Sequence, residues 1–311
     1  MDPVTHGLAG AVLAHAGFRQ RYGYQATLGL TAGALLPDID VLWSPAKSVV
    51  ALELHRGITH SFVGAVGLAL ALGLVLRVLG PERRWALLSA LSLLGILLGH
   101  LFLDLITSFG IQLYLPFSMA RPALDLVFII DPLLTLPLPV ALIAGLIWRP
   151  RAALISRLGL GVVALYLGLM AFNQARAVTS MGRFLQTQGI AARRVEALPG
   201  PFNPLRWQGF AEDGDTYWRG DIQLWPGRIT VAPISKGPEN GLVARARQHK
   251  EVQTFLWFAR FPVVAFWEEG DRSVVEYRDL RFFQPIRTRF PFVLRVVFSP
   301  SGEAEQVLFN P

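Results

Sequence analysis

The sequence has no cysteine, which rules out a disulfide framework and any thiolate metal site. It is also short of charge. Only 16% of its 311 residues are Asp, Glu, Lys or Arg, whereas 52% are hydrophobic, and mean hydropathy is +0.42. So apolar a chain does not fit an ordinary soluble protein of this size and points to a membrane class. A cleavable signal peptide is not expected. The chain opens Met1-Asp2-Pro3 without a basic start, and a histidine interrupts its first apolar run. No basic helix or aromatic-basic platform accompanies the net charge of +7, so a nucleic-acid partner is not expected. Arginines flanking membrane segments account for the excess.

The few charges are unevenly spread. Residues 1–173 carry 19 of them, and the remaining 138 residues carry 32. This shift predicts an α-helical multi-pass membrane domain followed by a mainly antiparallel β soluble domain. The expected division is 1–173 membrane-embedded, 174–200 a helical stalk, and 201–311 the β domain. About six apolar segments are expected: Val4 to Phe18, Tyr24 to Leu36, Ser61 to Leu79, Trp85 to Phe109, Phe128 to Trp148 and Ile155 to Phe172. The first two are shorter than the roughly 20 residues a span requires. Gly29/Gly33 and Gly95/Gly99 have the small-xxx-small spacing that lets helices approach closely. Beyond the membrane region, Asn173 to Leu198 reads as a helix leaving the bilayer, broken by Pro199-Gly200-Pro201. Strands are expected at Thr216 to Leu224, Arg228 to Val231, Thr254 to Phe258, Val263 to Trp267, Ser273 to Asp279 and Phe292 to Phe298.

Basic residues set an orientation. Arg19, Arg21, Arg77, Arg83, Arg84, Arg149, Arg151 and Arg157 fall in loops on one side, and only Lys47, Arg56 and Arg121 fall on the other. By the positive-inside rule the first side is cytoplasmic, which places the C-terminal domain outside.

Against this apolar background, three pieces stand out: Leu36-Pro37-Asp38-Ile39-Asp40, His55-Arg56-Gly57-Ile58-Thr59-His60-Ser61, and Gly99-His100-Leu101-Phe102-Leu103-Asp104. Ionisable groups at membrane depth are expensive and usually mark a functional site, paired or bound to a cation. Asp oxygens mixed with His nitrogens suit a divalent ion, zinc or manganese rather than calcium. His100 and Asp104, at i and i+4, project from one helix face. Pro37 favours an extended turn in which Asp38 and Asp40 share a face. His55 and His60 lie either side of a tight loop at Gly57, with Thr59 or Ser61 capping the next helix. The topology puts all three pieces, and His6, at the same membrane face. Taken singly, each has a structural reading: a turn Asp, a solvated interfacial His, a buried His–Asp hydrogen bond. Their convergence favours a site. His15 reads as a packing residue, and His249 has no evident partner.

These motifs, with Met1-Asp2-Pro3-Val4-Thr5-His6-Gly7, resemble the YdjM/YfhP-type family of bacterial membrane-bound metal-dependent hydrolases. Phe202-Asn203-Pro204-Leu205-Arg206-Trp207 is similar to the start of the soluble region in YfhP-like members. The resemblance implies a multi-pass protein of the bacterial cytoplasmic (inner) membrane. Its metal ligands would be Asp38, Asp40, His55, His60, His100 and Asp104. The expected ion is zinc, with manganese or magnesium as alternatives. His6 and His60 are candidate acid–base groups, and Arg56 is a candidate phosphate partner. The expected substrate is a membrane lipid or lipid-linked phosphoester at the outer leaflet. Two other readings remain open: an envelope scaffold with a structural metal, and a cation transporter.

Overall fold

The computed structural model describes residues 1–45, 48–282 and 291–310, so Lys47 lies outside the described residues. Helix α1 runs over Pro3–Leu13, through a π-turn at Ala14–Phe18, into Arg19–Tyr22. It is followed by α2 (Tyr24–Leu35), α3 (Phe62–Leu79), α4 (Trp85–Leu105), α5 (Pro132–Ile147) and α6 (Arg149–Thr187). Helices thus occupy the expected apolar stretches. Of the six expected membrane segments, only α3, α4 and α6 are long and apolar enough to cross a membrane. Helix α2 is short because it is a packing element: Ala26, Leu30 and Ala34, at successive turns, are fully buried. Asp131 accepts from the Leu133 and Leu134 amides and starts α5 at Pro132, after the expected Phe128.

Small residues bring α1, α2 and α4 together. A Cβ on Gly33 would lie 2.5 Å from the Ser92 carbonyl oxygen, and one on Gly99 would lie 2.7 Å from the Ala34 Cβ. No larger side chain fits between these backbones, which is the role the glycine spacing suggested. The close approach brings the site-bearing ends of the helices within side-chain reach.

The C-terminal half contains two four-stranded antiparallel meanders. The first comprises β1 (Arg194–Pro199), β2 (Arg206–Asp213), β3 (Thr216–Gln223) and β4 (Arg228–Ser235). The second comprises β5 (Pro262–Glu269), β6 (Arg272–Asp279), β7 (Val293–Phe298) and β8 (Ala304–Asn310), preceded by α7 (Gly241–Ala246) and α8 (Lys250–Phe258). Helix α6 carries the first sheet. Asn173, Ala177, Met181 and Leu185 form a buried stripe at i, i+4 spacing, and Met181 packs on the glycines at 209 and 220.

Three local expectations are corrected. The helix leaving the membrane ends at Thr187, and Arg194–Pro199 is strand β1, paired with β2 from Arg194↔Glu212 to Pro199↔Trp207. The segment Thr254 to Phe258 is the end of helix α8, not a strand. Val252, Phe255 and Phe258 recur every three residues and bury one helical face against β6 and β7, a period that a five-residue aromatic window hides. Strands β2 and β8 were not anticipated; in both, polar residues interrupt the alternation.

The second sheet and its helices dock on the same end of the bundle as the three motif pieces. Val49 and Leu52 share a core with α8, and Arg281 donates to the Ser108 carbonyl (2.7 Å) and the Phe258 carbonyl (2.9 Å). Arg260 grips both oxygens of Asp125 at 2.8 and 2.9 Å and also contacts Glu196, tying the loop after α4 to both sheets. Glu196 keeps Arg194, but Arg260→Ala strands the buried Asp125 carboxylate. It is expected to cost about 3 kcal/mol of stability, read as a lower unfolding midpoint in detergent, whereas an unchanged midpoint would show that the latch is not structural.

Candidate metal centre

The site is assembled from four places where helices start or stop. Asp2 caps α1 by accepting from the Thr5 amide at 3.0 Å, which sets His6 one turn in. After α2, Pro37 opens a tight 3-10 helix, Leu36–Leu42, instead of the expected extended turn. Asp38 and Asp40 nonetheless keep donor atoms, together with one from His55, within 4.8 Å of one another. The loop His55–Ser61 turns sharply at Arg56, which has φ 60. Ser61 then caps α3 by accepting from the Gly64 amide at 2.9 Å, as its position suggested. In α4 a π-turn over Leu97–Leu101 contains His100, and Asp104 follows one turn later. Such turns concentrate at functional sites because the extra residue re-aims side chains.

Four side chains meet at one point. The ligand atoms of Asp38, His60, His100 and Asp104 all lie within 4.8 Å of one another. His60 Nε2 is 2.9 Å from His100 Nε2, and each is 3.5 Å from Asp38 Oδ1. Asp104 Oδ2 is 3.4 Å from His60 Nε2 and 3.5 Å from His100 Nε2. A second group, Asp38, Asp40 and His55, satisfies the same limit and shares Asp38 with the first.

The imidazole orientations are fixed from behind. His100 Nδ1 is 2.7 Å from the Ala34 carbonyl, and His6 Nδ1 is 2.8 Å from the Gly99 carbonyl. A carbonyl only accepts, so Nδ1 carries the hydrogen in both rings, and in the neutral rings Nε2 presents a lone pair. His6 stacks on His100 with ring centroids 3.9 Å apart, and its Nε2 stands 3.4 Å from Asp104 Oδ1. Among the described residues, buried His6 Nε2 and Asp104 Oδ2 have no hydrogen-bond partner. Buried polar atoms are rarely left unpaired. Converging, unpaired nitrogen and oxygen donors are therefore what a divalent ion would satisfy, and this Asp/His set fits one.

The charge balance points the same way. Burial alone would push the His60 pKa down, but Asp104, Asp38 and Asp40 outweigh it and hold the imidazole up at about 9. Burial would likewise raise Asp40, yet His55 and His60 keep it well below the usual carboxylate range. The carboxylates thus call for positive charge at the centre. Arg56 supplies part of it, with Nη2 2.9 Å from Asp104 Oδ1, and the Met1 amino group contacts the same oxygen.

The family model for the YdjM inner membrane protein matches residues 1–177. The chain belongs to the YdjM family. A second model, the YfhP C-terminal alpha/beta plait domain, matches residues 241–308, the region of α7, α8 and the second sheet. Uncharacterized protein YfhP of Bacillus subtilis (strain 168) is 24% identical over 311 residues, covering 94% of this chain and 90% of that protein. No solved structure matches the chain. The family expected from the motifs is borne out, and every side chain of the site lies inside the YdjM match.

Within this YdjM region the expected site residues have distinct surroundings. Asp38, His60, His100 and Asp104 form the inner group, Asp40 and His55 lie beside it, and His6 flanks it. Arg56 is not held out toward solvent. Its guanidinium pairs with Asp104, donates to Thr107 Oγ1 at 3.3 Å and sits 4.9 Å over the Phe109 ring. His15 bonds its own helix, with Nδ1 2.9 Å from the Ala11 carbonyl. Sequence reasoning missed the supports: the Ala34 and Gly99 carbonyls, Thr107, Phe109, and Thr59 Oγ1 donating to Asp40 Oδ2 at 3.1 Å. The glycine spacing was the available signal for the first two, because only small residues let those carbonyls reach a neighbouring helix.

Proposed function

We propose that this chain is a metal-dependent hydrolase acting on a lipid-linked phosphoester at the outer face of the cytoplasmic membrane. One observation supports the reading: donor atoms of Asp38, His60, His100 and Asp104 converge within 4.8 Å at the ends of apolar helices, with Asp104 Oδ2 and the neighbouring His6 Nε2 left without a hydrogen-bond partner among the described residues. A divalent ion, when bound, would supply Lewis acidity for a phosphoryl oxygen and lower the pKa of a water. Asp38, His60, His100 and Asp104 would hold it. His6, with Nδ1 anchored to Gly99 and Nε2 beside Asp104, is placed to hold or pass a proton. Arg56 fixes the Asp104 carboxylate, a role that fits its burial better than the phosphate contact expected from sequence.

The competing reading is a scaffold whose metal is structural. Structural sites are closed by protein on every side. Here Asp38 is 21% and His55 31% exposed, which leaves an open edge and favours hydrolysis. Screening phosphate and acyl esters of lipids and isoprenoids with metal-replete protein tests the proposal. Turnover of none of them under any divalent metal would leave the scaffold.

Orientation is part of the same proposal. It rests on the eight arginines grouped away from the site, at the far ends of α1, α3 and α5. A reporter active only outside the cytoplasm should work when fused after Pro311, and one active only inside should stay silent. The reverse pattern would turn the site to the cytoplasmic face.

A further inference from the structure

Two overlapping donor groups share one carboxylate. Asp38, His60, His100 and Asp104 form the buried group, and Asp38, Asp40 and His55 form the more exposed one. A carboxylate has two oxygens and can serve two ions at once. We propose that the centre is dinuclear, with Asp38 bridging an inner ion held by His60, His100 and Asp104 and an outer ion held by Asp40 and His55. This rests on the metal reading above and adds the number of ions and the division of ligands.

The residues are arranged for that division. Asp40 separates its two oxygens. Oδ2 accepts from the Arg56 amide at 2.8 Å and from Thr59 Oγ1 at 3.1 Å, which folds the His55–Ser61 loop around it. Oδ1 lies 2.9 Å from His55 Nδ1, so these two donor atoms sit side by side next to Asp38. Of the inner donors, His100 is fixed from behind by the Ala34 carbonyl and Asp104 is held by Arg56. His55 is 31% exposed against none for His60 and His100, so the outer position is open to solvent. Paired ions in such sites lie about 3.5–4 Å apart and clamp the attacking and leaving oxygens of a phosphoryl displacement. A tightly framed inner position beside an accessible outer one suits a substrate that arrives from the headgroup side.

The test counts ions without any substrate. Full-length protein is loaded with manganese, freed of excess, and examined by elemental analysis and electron paramagnetic resonance. The wild type should hold two ions per chain with an exchange-coupled spectrum. His55→Ala should hold one, with the uncoupled six-line signal of a single ion. His55→Gln serves as a second variant if the alanine form does not fold. Asp38→Asn should abolish the coupling. One ion in the wild type, unchanged in the His55 variants, would overturn the dinuclear centre and leave the hydrolase reading standing. Two uncoupled ions would overturn the Asp38 bridge. No ion in the wild type would overturn both the inference and the metal reading on which it rests.

Discussion

His100→Ala and Asp104→Ala are expected to strip the inner ion from the purified protein, weakening divalent metal binding by roughly 100-fold or more, since even partners behind a ligand cost 10- to 100-fold. The reason is geometric. Both side chains come from one stretch of α4, and their donor atoms face Asp38 and His60. Deleting His100 removes a donor whose Nδ1 is already tied to the Ala34 carbonyl, which fixes the direction of its Nε2. Deleting Asp104 also strands Arg56, whose guanidinium loses its carboxylate in a buried setting. Asp104→Ala should therefore lower stability as well as metal content, whereas His100→Ala should chiefly lower metal content. Elemental analysis and thermal unfolding of the same samples separate the two. Equal metal in wild type and both variants would exclude the pair as ligands.

Asp38→Ala and His60→Ala should depress hydrolysis of a lipid phosphoester by roughly 1,000-fold while leaving the chain inserted and folded, in line with the loss seen when a charge-stabilising group is removed. Asp38 is the ligand best placed to meet a substrate, being partly exposed while touching both His60 and His100. His60 is fully buried and joins the two groups through Asp38, Asp40 and Asp104. Activity should fall much further than the unfolding midpoint. Under the scaffold reading the two would fall together, and no substrate would be turned over by the wild type. Rates and midpoints measured on the same preparations decide between them.

The candidate site was legible because its cost is legible. His100 and Asp104 sit in an apolar helix, where uncompensated polar groups are too expensive to be incidental. Their i, i+4 spacing, the convergence of the three pieces and the Ser61 cap all appear in the structure. Pro37 was misread because it suits the first turn of a 3-10 helix as well as an extended segment, and only tertiary context chooses. The pairing of Arg56 with a carboxylate was not foreseen because sequence shows a charge but not its partner. The partner, Asp104, is 48 positions away in helix α4.

The fold divides in the same way. Long apolar helices and alternating strands such as Thr216–Gln223 announce themselves by period. Helix α8 and strand β1 did not. The first hides its period behind aromatic residues that also suit strands, and the second sits in a polar, arginine-containing stretch whose sheet partner begins seven residues later. The short length of α2 was visible, but its use as a buried wedge between α1 and α4 depends on backbone contact at Gly33 and Gly99, which spacing suggests without naming the partner.

The most direct test of metal-dependent hydrolysis is the initial rate of phosphoester cleavage by membrane-reconstituted protein as purified, after chelation, and after readdition of zinc or manganese. The account predicts cleavage that disappears on chelation, returns with the ion, and fails to return in Asp38→Ala. Cleavage that survives complete removal of metal, or reappears equally in that variant, would contradict it.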